Sequence, residues 1–235
     1  MNFLLVAALF ALQAPADGNL KLQGFVLVGA TAAGDQAVQL SLAYPVVHGR
    51  MRYRVIDLPG GANQWERYRD RYVEMQGTWG DSGFVSSKVS EQTPPGTVRR
   101  DVEPSLSQRA VVTLAVVPRR VAMFDSTGAQ SGVQPSVYYT IKNLGNSQLY
   151  FRFTTTDIIC ISVAKQGSSD AHWRDAWRVR PQPEPTLRIQ MSAAVRYVVP
   201  IPETAIADLG LYTVRVSICG ENDYALTTDF AVVDR

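Results

Sequence analysis

Gly80-Asp81-Ser82-Gly83 spells a tetrapeptide that can surround a serine nucleophile, and the chemistry it would serve is acyl transfer. That chemistry needs a histidine to take the serine proton and a buried aspartate to orient the histidine. The upstream histidine is His48, 34 residues before Ser82. A hydrolase using Ser82 with His48 is therefore one reading, and a polar turn after the strand ending at Trp79 is the plainer one. A second chemistry is anion binding. Arg50, Arg52 and Arg54 alternate with Met51, Tyr53 and Val55, so one strand face carries a row of guanidinium groups. Joined by Arg67 and Arg71, they would hold phosphates or sulfates bidentately. The alternative is a solvated face balanced by Asp57, Glu66 and Asp70. Base stacking would need aromatics beside the arginines, but Tyr53 points the other way, so nucleic acid is not expected.

The metal-ligand inventory is poor. His48 and His172 have no further His, Cys or carboxylate at ligand spacing, and zinc needs three or four such donors. No metal, no cofactor and no catalytic residue is expected. The tryptophans point elsewhere. Trp173 and Trp177 are four apart with Arg174 and Arg178 beside them, so a helical turn would stack both rings on one face. Exposed, these four residues would form a protein-binding hot spot. Buried, the rings would form a lid on one end of the fold.

Stepping from the side chains to the chain that carries them, 235 residues allow one large domain or two modest ones. With 46% hydrophobic and 19% charged residues, a real core is expected and wholesale disorder is excluded. The formal charge of +2 gives no whole-molecule field that would draw the chain to a polyanion. Residues 3–12 form an apolar run about half as long as a bilayer span, followed by Ala14-Pro15-Ala16. Residues 1–16 therefore read as a signal peptide, or else as a retained apolar segment. The expected location is secreted or periplasmic, with no transmembrane span. In an oxidising compartment Cys160 and Cys219 are expected to pair. Alternation puts both on the more polar side of their strands, so the bridge should lie outside one sheet.

Period-two patterning dominates, which argues for an all-β chain. The runs 20–28, 38–47, 50–58, 72–79 and 111–117 read as strands of a first unit, 18–118. Residues 63–71 read as a helix and 86–107 as a loop around Pro94-Pro95-Gly96. A second unit, 121–235, holds about seven strands.

Five strands with a short helix before the fourth resemble an OB-fold, a five-stranded barrel. Leu22-Gln23-Gly24-Phe25-Val26 and Arg71-Tyr72-Val73-Glu74-Met75-Gln76-Gly77-Thr78-Trp79 are similar to the first and fourth strands of small bacterial OB-like modules. That resemblance implies a ligand face on the second and third strands. In the second unit, Asp208-Leu209-Gly210-Leu211-Tyr212-Thr213-Val214 resembles the D-x-G-x-Y-x-C motif of immunoglobulin-like sandwiches. It implies a Tyr212 hydroxyl bonded back to the chain at a corner. Val214 stands where that family has cysteine. Tyr139-Thr140-Ile141-Lys142-Asn143, Ile159-Cys160-Ile161-Ser162-Val163, Trp173-Arg174 and Gly210 to Val214 are similar to the bacterial intracellular proteinase inhibitor (BsuPI-like) family. The resemblance implies an immunoglobulin-like β-sandwich, and inhibition through a projecting loop such as 167–170 or 178–185.

The expectation is thus an exported, non-catalytic binding or accessory protein: an OB-like five-stranded barrel followed by an immunoglobulin-like β-sandwich. Its partner would be another protein or a cell-envelope complex, with an anionic surface as a further option. Proteinase inhibition and polyanion binding are the alternatives.

Overall fold

Alternating apolar and polar side chains form sixteen strands among the described residues: β1 (Leu20–Ala30), β2 (Gln36–His48), β3 (Met51–Asp57), β4 (Tyr72–Gly80), β5 (Gly83–Glu91), β6 (Val98–Ser105), β7 (Gln108–Val117), β8 (Arg120–Ala122), β9 (Ser136–Asn143), β10 (Leu149–Arg152), β11 (Asp157–Lys165), β12 (Trp173–Arg178), β13 (Thr186–Ile189), β14 (Ala194–Pro200), β15 (Gly210–Ile218) and β16 (Glu221–Val233). The computed structural model describes residues 19–30, 36–80, 83–124, 134–168, 171, 173–179, 181, 184–206 and 208–234. The leader expected at 1–16, Asp81 and Ser82, His172, and parts of both projected loops (169–170, 180, 182–183) lie outside the described residues. The fold is all-β and sandwich-like, and no helix among the described residues is long and apolar enough to cross a membrane.

The first five strands form one antiparallel sheet ordered β3-β2-β1-β4-β5. It curls so far that β3 comes against β5. Two glycines permit the curl. A Cβ at Gly24 would stand 2.1 Å from the Ser41 carbonyl oxygen, and one at Gly77 the same distance from that of Val85. Only glycine lets the backbones approach so closely at a bend. Leu22, Val26, Leu40, Ile56, Val73, Met75 and Phe84 fill the inside of the curl. Helix α1 (Ala62–Trp65) covers the end where β3 runs out, with Trp65 buried and its indole N–H donating to the Pro59 carbonyl at 2.9 Å.

Residues 98–234 build three further sheets. An outer sheet is ordered β12-β11-β15-β16-β8, a central sheet β14-β9-β7-β6, and β10 pairs with β13. Ile159, Ile161 and Val163 of β11 and Tyr212, Val214, Val216 and Ile218 of β15 face one core, as their alternation predicts. From the central sheet, Val112, Leu114, Tyr139 and Ile141 enter the same core. The opposite face of the central sheet is covered too. Val117 and Tyr138, with Val198 beside them, pack on Phe25, Ala43 and Tyr72 of the curled sheet. The Phe25 and Tyr138 rings stack at 5.1 Å, and Arg196 reaches Glu91 at 3.7 Å.

Three expectations are corrected. Residues 86–107 are mostly strand, not loop, because β5 and β6 carry polar residues on their open faces and lack a marked apolar rhythm. The change of sheet falls at 92–97, around Pro94-Pro95-Gly96. β7, expected to close the first unit, pairs with β9 instead. The helix expected over 63–71 stops at Trp65 and continues only as a 3-10 turn, Glu66–Tyr68. Arg69 turns extended and Asp70 takes φ +55°, which ends any helical run there. Between β13 and β14 the chain turns at Ser192, whose φ is +61°.

Candidate functional site

The residues read from the sequence as reactive fall into three places. The first is the β2–β3 hairpin. Gly49, with φ +61°, opens its two-residue turn, as primed hairpin turns require. Register then fixes the faces: His48 pairs with Met51, Val47 with Arg52, and Val46 with Tyr53. On the inner face Tyr53 packs on Trp79 at 4.6 Å, and the His48 ring stacks on the same indole at 4.9 Å. This aromatic cluster fills the end of the curl opposite α1. At the tip, Val47 is 67% exposed and Met51 63% exposed, with Arg50 and Arg52 also exposed beside them. Farther back, Tyr44 and Val55 are exposed where the bulge between Ser41 and Val46 breaks the pairing. The hairpin therefore presents Val47 with Arg52 on one face and Met51, which accepts from the Tyr53 hydroxyl at 3.7 Å, on the other.

Arg67 and Arg71 go elsewhere. Arg67 lies over the Tyr68 ring, its guanidinium carbon 4.6 Å from the centroid, in a groove shared with β5. Arg71 pairs with Glu91, which also holds Arg196 of the central sheet. That bond draws Arg71 to the junction between the curled sheet and the central sheet. The short helix cannot align Arg67 with Arg71, because four residues make barely one turn. Arg69 instead takes Glu66, at 2.8 Å, and the bond holds that carboxyl below the usual range. Asp70, half-buried near the same junction, is pushed upward by desolvation.

The second place is β12. The segment is strand, not a helical turn, so Trp173 and Trp177 share a face by period two. Trp173 packs against the sandwich core, and Trp177, at 45% exposure, meets Tyr197 edge-on at 5.5 Å. Arg174 and Arg178 project from the opposite face. The rings and the guanidinium groups thus do not form a single patch.

The third place is the outer face of the outer sheet. Cys160 and Cys219 are joined in a disulfide spanning 59 residues of chain. Around it Asp157, Ser162, Arg174, Arg178, Arg215 and Ser217 line a cleft of about 350 Å³. Sequence reasoning missed Ser162, Arg215 and Ser217, although the β11 and β15 alternation that placed the cysteines outside places these three beside them. Nearby, the Tyr212 hydroxyl donates to the Asp208 carbonyl at 2.8 Å, the corner bond expected of that segment. Among the described residues no group of three or more His, Cys, Asp and Glu converges to hold a metal ion. No family model matches this chain, and neither does any curated protein.

Proposed function

We propose that this chain is an extracytoplasmic, non-catalytic binding protein that contacts another protein through the β2–β3 hairpin. In this reading residues 19–91 are an OB-type barrel and residues 98–234 an immunoglobulin-like sandwich. Supporting the barrel are its strand order, the approach of β3 to β5, and a helix between β3 and β4. The sandwich reading draws support from the Tyr212 corner and from two sheets facing across one core. The disulfide is compatible with an oxidising location. The observation that carries the function is one face of the hairpin tip, where Val47 stands exposed directly opposite Arg52, with Arg50 exposed in the turn beside them. Arginine is enriched at protein interfaces, and an exposed apolar side chain beside it adds area that gains by being covered. The partner it fits has an apolar pocket with an acidic rim.

The test is a photo-crosslinking residue placed at Val47, opposite Arg52, in the native host, with adducts identified by mass spectrometry. A discrete protein adduct is expected, and it should vanish when Arg52 is changed to Glu. If crosslinking gives only a background smear, unchanged by Arg52→Glu, the hairpin is not the contact surface.

A further inference from the structure

We propose that the outer sheet carries a second, independent binding site: a cleft for a phosphate or sulfate group held between Arg174 and Arg215. Register places it. Ser162 of β11 lies directly opposite Arg174 of β12 on one side and Arg215 of β15 on the other. Neighbouring strands stand about 4.8 Å apart, so the two arginine Cα atoms are roughly 10 Å apart with the serine hydroxyl between them. In the next row Cys160 lies between Ala176 and Ser217, adding a second hydroxyl on the same face. All of these residues line the cleft of about 350 Å³.

The charges in the cleft are unevenly matched. Asp157 and Asp175 are both taken by Arg178, at 2.8 and 3.3 Å. Arg215 donates to the neutral Asn222 side chain at 3.1 Å. Among the described residues neither Arg174 nor Arg215 has an ion pair. Two guanidinium forks flanking a serine, with a second hydroxyl in reach, supply more donors than a carboxylate accepts. A tetrahedral oxyanion accepts them from several directions and relieves the repulsion between the two cations. The disulfide ties β11 to the end of β15 and keeps the row in register. The Trp173 and Trp177 rings lie on the other face of β12, so the site is an anion cleft without an aromatic platform.

The experiment titrates the oxidised full chain with inorganic pyrophosphate at low ionic strength, by calorimetry and by amide chemical shifts. Saturable one-site binding is expected. Arg174→Gln and Arg215→Gln should each weaken it about tenfold, the loss of one charge-assisted contact. Arg99→Gln, on the exposed β6 strand, should leave it unchanged. Arg174→Lys and Arg215→Lys keep the charge but not the fork, and should fall between. They carry the test if a Gln variant shows a lowered melting temperature. A parallel arm uses phosphatidylcholine vesicles with and without phosphatidic acid. Pyrophosphate binding without vesicle binding identifies a free anion as the source. Vesicle binding that needs phosphatidic acid and is lost in both Gln variants identifies a lipid headgroup. Binding in neither arm, or equal weakening by Arg99→Gln, overturns the site.

Discussion

The two halves of this molecule close their cores by different means. Among the described residues the curled sheet bends a single layer around 11 buried side chains and seals one end with α1, whereas the sandwich faces sheets across 28. Curling demands glycine at close approaches such as Gly24 and Gly77, and a wide bulge in β2. The sandwich bends its strands less, at register shifts such as that between Val216 and Ile218, and it is cross-linked on its outside by Cys160–Cys219. The lesson is one of division: the smaller half projects an exposed hairpin from the end away from α1, and the larger half holds the flat outer face of a stable sheet.

Alkali should separate the halves most strongly. Burial raises the Tyr139, Tyr197 and Tyr224 hydroxyls in the sandwich core, and it raises Tyr72 at the junction to about 12. In the unfolded chain these groups lose their protons near pH 10, while the folded state retains them. Stability is therefore full below pH 10 and falls as pH rises through 10–12, where the unfolded state binds fewer protons. Near-ultraviolet circular dichroism against pH should show the sandwich losing its tyrosine signal cooperatively in that window. A gradual change spread evenly over pH 8–12 would contradict the assignment. Next in size is Phe25→Ala, which empties the contact between Phe25, Tyr72 and Tyr138. It should cost about 3–5 kcal/mol and split one calorimetric transition into two. One sharp transition at the original temperature would mean the halves are not coupled there.

Replacing both cysteines by serine removes a 59-residue cross-link and should destabilise the protein by about 2–4 kcal/mol. Denaturant midpoints followed by tryptophan fluorescence would show it. The smallest effect is Tyr139→Phe, which removes a 2.7 Å donation to the Tyr224 carbonyl. A loss of about 1–3 kcal/mol is expected in urea unfolding, because a buried carbonyl loses its donor.

What was legible in the sequence was the parity of strands with one wet face. Alternation placed Ile159, Ile161 and Val163 inward and Cys160 outward, which gave the side of the sheet on which the bridge to Cys219 lies; the pairing itself was expected from an oxidising compartment. β7 was misplaced for a physical reason. Both its faces are buried, so Val111 to Val117 is apolar almost throughout and alternation says nothing about which partner it pairs with. The hidden strands β5 and β6 failed for the opposite reason, since their side chains are mostly polar and exposed. At the sites, the Arg50, Arg52 and Arg54 row was visible, but the fate of Arg71 was not. Its partner Glu91 lies 20 positions on, across a sheet pairing that no local spacing reports. Trp173 and Trp177 sat on one face either way, because four residues is close to one helical turn and also an even number of strand steps.

The central sheet is covered on both sides where Val117 and Tyr138 stand, and this bears on how the protein can be cut. Liberating residues 98–234 by themselves would leave Val117, Tyr138 and Val198 facing water, an oily strip on an otherwise finished module. Such a fragment would be sticky even if correctly folded, and anyone engineering it should first mutate that strip to polar residues.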